Sequence, residues 1–339
     1  MELRRHFLNQ LTNQEVEAYL NQEDVVLVPF GPTEVHGGMP LDCETVVSQG
    51  LALILAKRVN CLVLPNIPYI YSGATASARG TIQLTVKESS QLLYGVAKSL
   101  LQSGFTRQIY FSLHGPAHIP MQPVVRDFFD ETGVGILYID IAMALQQTGL
   151  FEGPDMLANF DRMILAAYLL QNRLDEVPLT TEFDHEFPND SGQFGYLKKQ
   201  AYESGAIGYY FADLGEHMPT TAIPDEETRL KLAKEGLPML ERVADQIDLP
   251  RILDEMTIHA DYVDQVLNSR PNSPAAFNQK PGQIKKHSNV KRNEPNTDEA
   301  QSDVNQATNL KQSSTNKAKR QPRKRQNRRK KGGLPVKFW

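Results

Sequence analysis

The 339-residue chain is poor in cysteine, with only Cys43 and Cys61. Two cysteines in so long a chain exclude a disulfide-rich framework and favour a reducing compartment, so we expect a cytoplasmic protein. The sequence also lacks any run of about 18 apolar residues, the length that a membrane-spanning helix needs. We therefore expect no membrane segment. The first 20 residues lack the continuous apolar core of a secretory signal, so we expect no signal peptide.

Charge is distributed unevenly along the chain. The formal net charge is −4, but residues 268–339 carry 18 Lys and Arg against 4 Asp and Glu, which leaves −18 on residues 1–267. Pro, Asn, Gln and Ser dominate the basic part and apolar residues are sparse, so burial there cannot offset the cost of ordering the backbone. We predict a folded domain over residues 1–262 and a disordered, strongly basic tail over residues 263–339.

Apolar runs alternate with segments of helical periodicity in the first 250 residues. Strands are predicted at residues 25–30, 61–64, 108–113 and 135–141, and helices at 44–59, 87–103, 120–132, 155–174 and 225–247. A Gly- and Tyr-rich stretch at 203–211 is expected to be a loop that packs near the functional site. Such alternation is typical of a parallel sheet covered on both faces. The predicted fold class is α/β, a single three-layer domain with a mostly parallel central sheet flanked by helices.

Acid and imidazole side chains follow two of the predicted strands. The first strand leads directly into Glu34, His36, Asp42 and Glu44, and the third strand ends on His114, with His118 four residues later. Open α/β sheets bind ligands at the carboxyl ends of their strands, and carboxylate and imidazole groups are ligands for divalent metals. A solvated acidic loop is the alternative, and it is the commoner outcome for an arbitrary Glu-x-His. The flanking glycines and the second strand favour a metal site.

Cys43 lies within this acidic cluster and could be interpreted as a nucleophile or a ligand. If residues 42–44 are extended, its side chain faces away from those of Asp42 and Glu44. We therefore expect ordinary packing for Cys43.

These residues resemble the signatures of the creatininase (creatinine amidohydrolase) family of metal-dependent hydrolases. The first family signature is a strand, then Gly-x-x-Glu-x-His-Gly, a short loop and Pro-Leu-x-x-Asp-Thr. Here it reads Gly31-Pro-Thr-Glu-Val-His-Gly37 and then Pro40-Leu-Asp-Cys-Glu-Thr45, with Glu44 in place of the family's aspartate.

Three further signatures follow in the order of the family. A Gly-Thr before an apolar stretch is matched by Gly80-Thr81. The third, a strand ending in Asn-Gly-His-Gly-Gly-Asn, resembles Ser112-Leu-His-Gly-Pro-Ala-His118. The fourth, His-Ala-Gly-x-x-Glu-Thr, resembles His185-Glu-Phe-Pro-Asn-Asp190-Ser191, in which Ala-Gly is lost and Glu is shortened to Asp.

The resemblance implies a metal-dependent amidohydrolase that hydrolyses a non-peptide C–N bond, cyclic amide or formamide-like, in a small-molecule substrate. It implies two divalent ions, Zn or Mn, that activate a water. The implied ligands are Glu34, Glu44 and His114 for one ion and His36, Glu44 and Asp190 for the other, with Asp42 and His118 as less favoured ligands. Glu44 would bridge the ions, and His185 would carry a proton to the leaving nitrogen. The family also implies a homo-oligomer, with a hexamer suspected.

The altered third and fourth signatures and the long tail support an alternative function. In that alternative the chain is a catalytically silent creatininase-like scaffold whose basic tail binds nucleic acid or another anionic partner. Residues 317–331 hold 10 bases and no acids, a density that attracts polyphosphates by counterion release. The tail could instead fold back onto the acidic domain, with Phe338 and Trp339 as an apolar anchor. Nucleic-acid binding by the folded domain itself is disfavoured, because that domain is strongly acidic.

Overall fold

A parallel β-sheet forms the centre of the fold. The structure is a computed structural model and describes residues 2–150, 152, 155–180, 195–200, 207–211 and 221–269. Within these residues the sheet has four strands in the order β2-β1-β3-β4: β1 (Val25–Pro29), β2 (Leu62–Val63), β3 (Arg107–Ser112) and β4 (Leu137–Asp140). All three pairings are parallel. β1 is buried at every position, as expected for an apolar strand in the middle of a covered sheet.

Helices pack around this sheet. Their bounds are α1 (Asn13–Leu20), α2 (Cys43–Val59), α3 (Val86–Gln102), α4 (His118–Thr132), α5 (Ile141–Thr148), α6 (Met156–Leu170), α7 (Gly195–Gln200), α8 (Glu226–Ile247) and α9 (Leu249–Ser269). Helices α2, α6 and α8 pack against one another, and α3 packs against α4. The predicted α/β fold with a mostly parallel sheet flanked by helices is confirmed.

The loops that follow the strands lie at the carboxyl edge of the sheet, because the strands are parallel. β1 leads through residues 30–42 into α2, and β3 leads through a short 3-10 turn, Gly115–Ala117, into α4. The first turn of α3 is held by a capping box between Thr85 and Glu88. These predicted strand, loop and helix units are confirmed, and they place the candidate site at the carboxyl edge of β1 and β3.

Some predicted elements differ from the structure. The helix predicted at 155–174 ends at Leu170, and Asn172 adopts a positive φ of 55°, which turns the chain out of the helix. Residues 135–141 divide between β4 and the start of α5, a helix that periodicity did not indicate because it is only eight residues long. α9 was not predicted and runs past residue 262 to Ser269. The domain boundary stays a prediction, and the tail from residue 270 lies outside the described residues.

Not one of the described helices combines the length and apolar character required to cross a bilayer.

Candidate metal centre

Three predicted ligands converge at the carboxyl edge of the sheet. Glu34 lies in the loop after β1, Glu44 in the first turn of α2 and His114 two residues after β3. One ligand atom from each lies within 4.8 Å of the other two, and all three side chains are buried. His114 Nδ1 is 3.0 Å from Glu34 Oε1 and 2.8 Å from Glu44 Oε2. The structure therefore brings together residues that are up to 80 positions apart in the sequence.

The loop after β1 folds tightly against the start of α2. A Cβ atom added at Gly31 would lie 2.7 Å from Thr45 Cγ2, so only glycine lets the backbone pass this close to the helix. The Glu34 backbone N–H donates to the Leu41 carbonyl at 2.9 Å and closes the loop. Thr81 of the second signature supports it as well, because the Val35 N–H donates to Thr81 Oγ1 at 3.1 Å. These contacts hold Glu34 and Glu44 in their relative positions.

Burial and mutual charge shift the ionisation of the three ligands. Burial raises the pKa of Glu34 to about 7, and repulsion by Glu44 adds to this while His114 opposes it. Burial alone would raise the pKa of Glu44, but attraction by His114 holds it well below its usual range. Burial would lower the pKa of His114, yet Glu34 and Glu44 together raise it to about 10. The site thus holds one positive charge between two buried carboxyl groups.

The orientation of the His114 ring is set by a backbone carbonyl. His114 Nε2 lies 3.0 Å from the Tyr71 carbonyl oxygen, which can only accept a hydrogen bond. Nε2 therefore carries a hydrogen, and Nδ1 is the nitrogen that faces Glu34 and Glu44. A histidine whose outer nitrogen donates to a carbonyl presents its other nitrogen to a metal ion. Sequence reasoning missed Tyr71, because a carbonyl is common to every residue type and leaves no signal in the sequence.

His36 lies on the other side of Glu44 from His114. Its Nδ1 is 3.9 Å from Glu44 Oε1, whereas His114 faces Glu44 Oε2. The His36 ring stacks on Phe160 of α6, with ring centroids 5.4 Å apart. Burial lowers the pKa of His36, which favours the neutral imidazole that metal ions bind. The two oxygens of Glu44 therefore face two different histidines.

Asp42, a less favoured ligand, and Cys43 do not lie in the extended segment considered for residues 42–44. Residues 42–44 do not continue a strand: Asp42 is the N-cap residue of α2, and Cys43 and Glu44 lie in its first turn. The carboxylate of Asp42 binds Tyr168 and Arg173 instead of joining Glu44. It accepts from Arg173 Nη2 at 2.7 Å and from the Tyr168 hydroxyl at 2.5 Å. The expectation of an extended segment was wrong, but Cys43 is buried in the apolar core, and its predicted packing is confirmed.

The remaining predicted site residues lie apart from the cluster or outside the described residues. His118 begins α4, and its Nδ1 donates to the Gly115 carbonyl at 2.8 Å. It is absent from the set of converging ligand atoms found among the described residues. His185 and Asp190 lie outside the described residues, so their roles stay predictions.

Comparison with known proteins connects this geometry to one family. Residues 9–177 match the profile of the Creatininase family, described as creatinine amidohydrolase. A crystal structure of creatinine amidohydrolase (creatininase) aligns with 78% of this chain and 98% of its own, at 16% identity and a TM-score of 0.52. A Bacteroides fragilis protein provisionally named a creatinine amidohydrolase aligns over 75% and 97%, at 17% identity and a TM-score of 0.52.

A third solved structure, named as creatininase with Mn, aligns over 79% of this chain and 100% of its own. Its identity is 15% and its TM-score 0.50. At such identities these likenesses show a shared fold. A search of curated proteins gave no match.

Proposed function

The chain belongs to the creatininase family, and from this we propose that it is a metal-dependent amidohydrolase acting on a non-peptide C–N bond, cyclic amide or formamide-like, of a small molecule. The observation that carries the proposal is the convergence of Glu34 Oε1, Glu44 Oε2 and His114 Nδ1 in a buried site. Two carboxyl groups and an imidazole that are buried together favour a positive charge between them, which either a proton on His114 or a metal ion supplies. A divalent ion fits this donor set of hard oxygens and one nitrogen.

We assign the ligands of two divalent ions, Zn or Mn. Glu34, Glu44 and His114 would hold one ion, and His36, Glu44 and Asp190 the other. The support for a bridging Glu44 is that its Oε2 faces His114 while its Oε1 faces His36. When bound, such ions lower the pKa of water and polarise a substrate carbonyl.

The side chains of the chain itself would hold and move protons in this reaction. His114 donates its Nε2 hydrogen to the Tyr71 carbonyl oxygen, so this ring can present Nδ1 to an ion but has no free proton to donate to substrate. Proton transfer to the leaving nitrogen therefore falls to another group, for which we propose His185. We also propose a homo-oligomer, as the family resemblance implies, and a cytoplasmic location, as the low cysteine content implies.

Metal content tests the proposal directly. We would measure Zn and Mn per chain by elemental analysis in protein purified without a His tag or chelator, for wild type, Glu34→Gln, His114→Ala and Asp42→Asn. We expect close to two ions in wild type, a loss of at least one in the first two variants and no loss in Asp42→Asn. The metal-loaded wild type would then be screened against cyclic amides and formamides.

The same experiment can contradict the proposal. Metal-free wild type, even after soaking with Zn²⁺ and Mn²⁺, would exclude the hydrolase. Asp42→Asn is the control, because it removes a nearby carboxylate that binds Arg173 but leaves the three converging atoms in place.

The basic tail supports a second candidate function, a catalytically silent scaffold that binds nucleic acid or another polyanion. The observation that favours it is the run of 10 bases without an acid in residues 317–331. Polyanion binding by the tail is also compatible with a hydrolase, so metal content and substrate turnover decide between the two functions.

A further inference from the structure

One turn of the chain contacts two of the three converging ligands. We name residues 70–77 the site turn. It includes the 3-10 helix Gly73–Ser77. The Tyr71 carbonyl accepts from His114 Nε2, and the Thr75 hydroxyl donates to Glu34 Oε2. The site turn lies outside the sequence signatures by which the family was identified. Its residues therefore support the site without having been predicted.

The contact with Thr75 distinguishes the two oxygens of Glu34. Oε2 accepts from the Thr75 hydroxyl, while Oε1 lies 3.0 Å from His114 Nδ1. The hydroxyl has a single hydrogen, and the Ser72 carbonyl is a more distant acceptor at 3.3 Å. Glu34 Oε2 is the nearer of the two acceptors and receives this hydrogen. Thr75 therefore holds Glu34 with one particular oxygen, Oε1, toward the other two ligands.

The site turn is itself held in place on two sides. The Phe211 N–H donates to the Ala74 carbonyl at 3.0 Å, and Ser77 Oγ donates to the Phe211 carbonyl at 3.0 Å. On the other side, a Cβ added at Gly73 would lie 3.4 Å from Pro116 Cγ, so the ring of Pro116 packs against the turn. Thr75 is 2% exposed. Its hydroxyl is thus presented to Glu34 by a backbone that is fixed before and after it.

We propose that Thr75 is a positioning residue of the metal centre, whose hydroxyl holds Glu34 so that only Oε1 is presented to a divalent ion. This inference rests on the proposed metal-dependent function. Thr75 acts through Glu34 and touches neither ion nor substrate. Partners of this kind orient metal ligands, and their loss typically weakens metal affinity by about 10- to 100-fold. The altered third signature fits this arrangement, because Pro116 supports the same turn.

A set of four chains tests the inference. Affinities for Zn²⁺ and for Mn²⁺ would be measured on the full-length protein by competition with a chromogenic chelator, for wild type, Thr75→Val, Thr75→Ser and Thr148→Val. Valine keeps the shape of threonine and removes the hydroxyl, whereas serine keeps the hydroxyl. Thr148 is the matched control, since it is also buried and donates to the Leu145 carbonyl at 2.6 Å, but on α5.

We expect Thr75→Val to weaken metal affinity by about 10- to 100-fold. Thr75→Ser should restore most of the affinity, and Thr148→Val should leave it unchanged. Thermal unfolding of the metal-free chains is measured in parallel. A purely structural role of Thr75 would lower the unfolding temperature of metal-free Thr75→Val without this selective loss of affinity.

The possible outcomes separate this inference from the proposed function. If wild type binds metal, Glu34→Gln does not, and Thr75→Val binds like wild type, the positioning role is wrong while the metal centre stands. Equal weakening in Thr75→Val and Thr148→Val, with equal losses of unfolding temperature, would attribute the effect to the fold and also overturn the role. If wild type binds neither ion, the proposed function fails and the positioning role with it.

Discussion

His114 lies between two buried carboxyl groups. The positive charge between them can be either a proton on His114 or a divalent ion. Without an ion, Glu34 and Glu44 attract a proton to Nδ1, which is why the pKa of His114 rises to about 10. A divalent ion would take the place of that proton, because Nδ1 is the nitrogen that the Tyr71 carbonyl leaves facing the carboxylates. Metal binding and proton release are therefore coupled at this residue.

This coupling predicts a pH dependence of metal affinity. At pH 8, below the His114 pKa of about 10, Nδ1 is protonated, so each ion held by His114 must release about one proton. The affinity for the ion held by His114 should then fall about tenfold when the pH is lowered from 9 to 8. Calorimetry of Zn²⁺ binding in buffers of different ionisation enthalpy measures the released protons. Binding without proton release would contradict the assignment of Nδ1.

Asp161 of α6 supports a second prediction at the residue scale. Burial raises its pKa to about 6, although the Thr221 N–H donates to Oδ2 at 2.5 Å and opposes the shift. Because the folded-state pKa exceeds the unfolded value near 4, the folded state binds the proton more tightly. The free energy of unfolding contributed by this group is thus fully present below pH 4 and is lost as the pH rises through 6.

Asp161→Asn removes this charge and keeps an acceptor for the Thr221 N–H. We expect it to raise the free energy of unfolding at pH 7 by about 1 kcal/mol and to have little effect at pH 4. Denaturant unfolding at the two pH values measures both. The exposed Asp127→Asn is the control and should show no such difference. A loss of stability of equal size at both pH values would contradict the prediction that the buried charge of Asp161 destabilises the fold at pH 7.

At the scale of elements, the packing of α6 on α8 positions one side of the site. The His36 ring stacks on Phe160 of α6, so the position of this helix determines where the ring lies. The two helices cross closely at Gly236 of α8. A Cβ atom there would lie 1.9 Å from the Arg162 carbonyl oxygen of α6, a backbone atom that cannot move independently of its helix. Glycine at this position therefore sets the distance between the helices.

Gly236→Ala should destabilise the protein by about 3 kcal/mol, because the added methyl must push the helices apart. Gly95→Ala is the matched control. Gly95 is an exposed glycine inside α3 whose added Cβ would meet no atom within 4 Å. Because alanine loses less conformational entropy on folding than glycine, this variant should be more stable by about 0.5–1 kcal/mol. Urea unfolding of both variants checks the prediction, and destabilisation of the same size in both would refute the close-crossing explanation.

At the scale of the whole molecule, the chain separates acidic and basic charge. The residues up to 267 carry −18 and those from 268 carry +14. A region of this positive charge attracts polyanions through counterion release, and a domain of this negative charge repels them. Interaction with a polyanion should therefore depend on the tail, while metal binding should depend on the domain.

Ending the chain at Ser269 removes all 18 bases of the basic part. We expect the truncated protein to lose retention on heparin at low salt, whereas full-length protein is retained and elutes as salt rises. Metal content per chain should be unchanged. A chain with the 10 bases of residues 317–331 replaced by glutamine tests whether this run carries the binding. Equal retention of full-length and truncated protein would exclude the tail as the polyanion site.

The sequence by itself determined the four strands, the helices α2, α3 and α4 between them, and a set of candidate ligands that contains the three converging residues. A short, β-branched apolar run such as Val25–Pro29 favours a buried strand, and parallel strands carry the residues that follow them to one edge. Glu34 and His114 could therefore be grouped before any coordinates were known. Four of the described helices were not predicted. The periodicity of α1, α5 and α7 is too brief, and the end of α9 lies where the composition becomes polar.

Only the tertiary structure decided which neighbours of the ligands matter. By residue type alone, Asp42 and Glu44 are both possible ligands, but the start of α2 turns one toward Arg173 and the other toward His114. Likewise, Tyr71 and Thr75 reach the site from a turn that no pattern marks. A carbonyl or hydroxyl acts through its position in space, and that position is set by packing between segments distant along the chain.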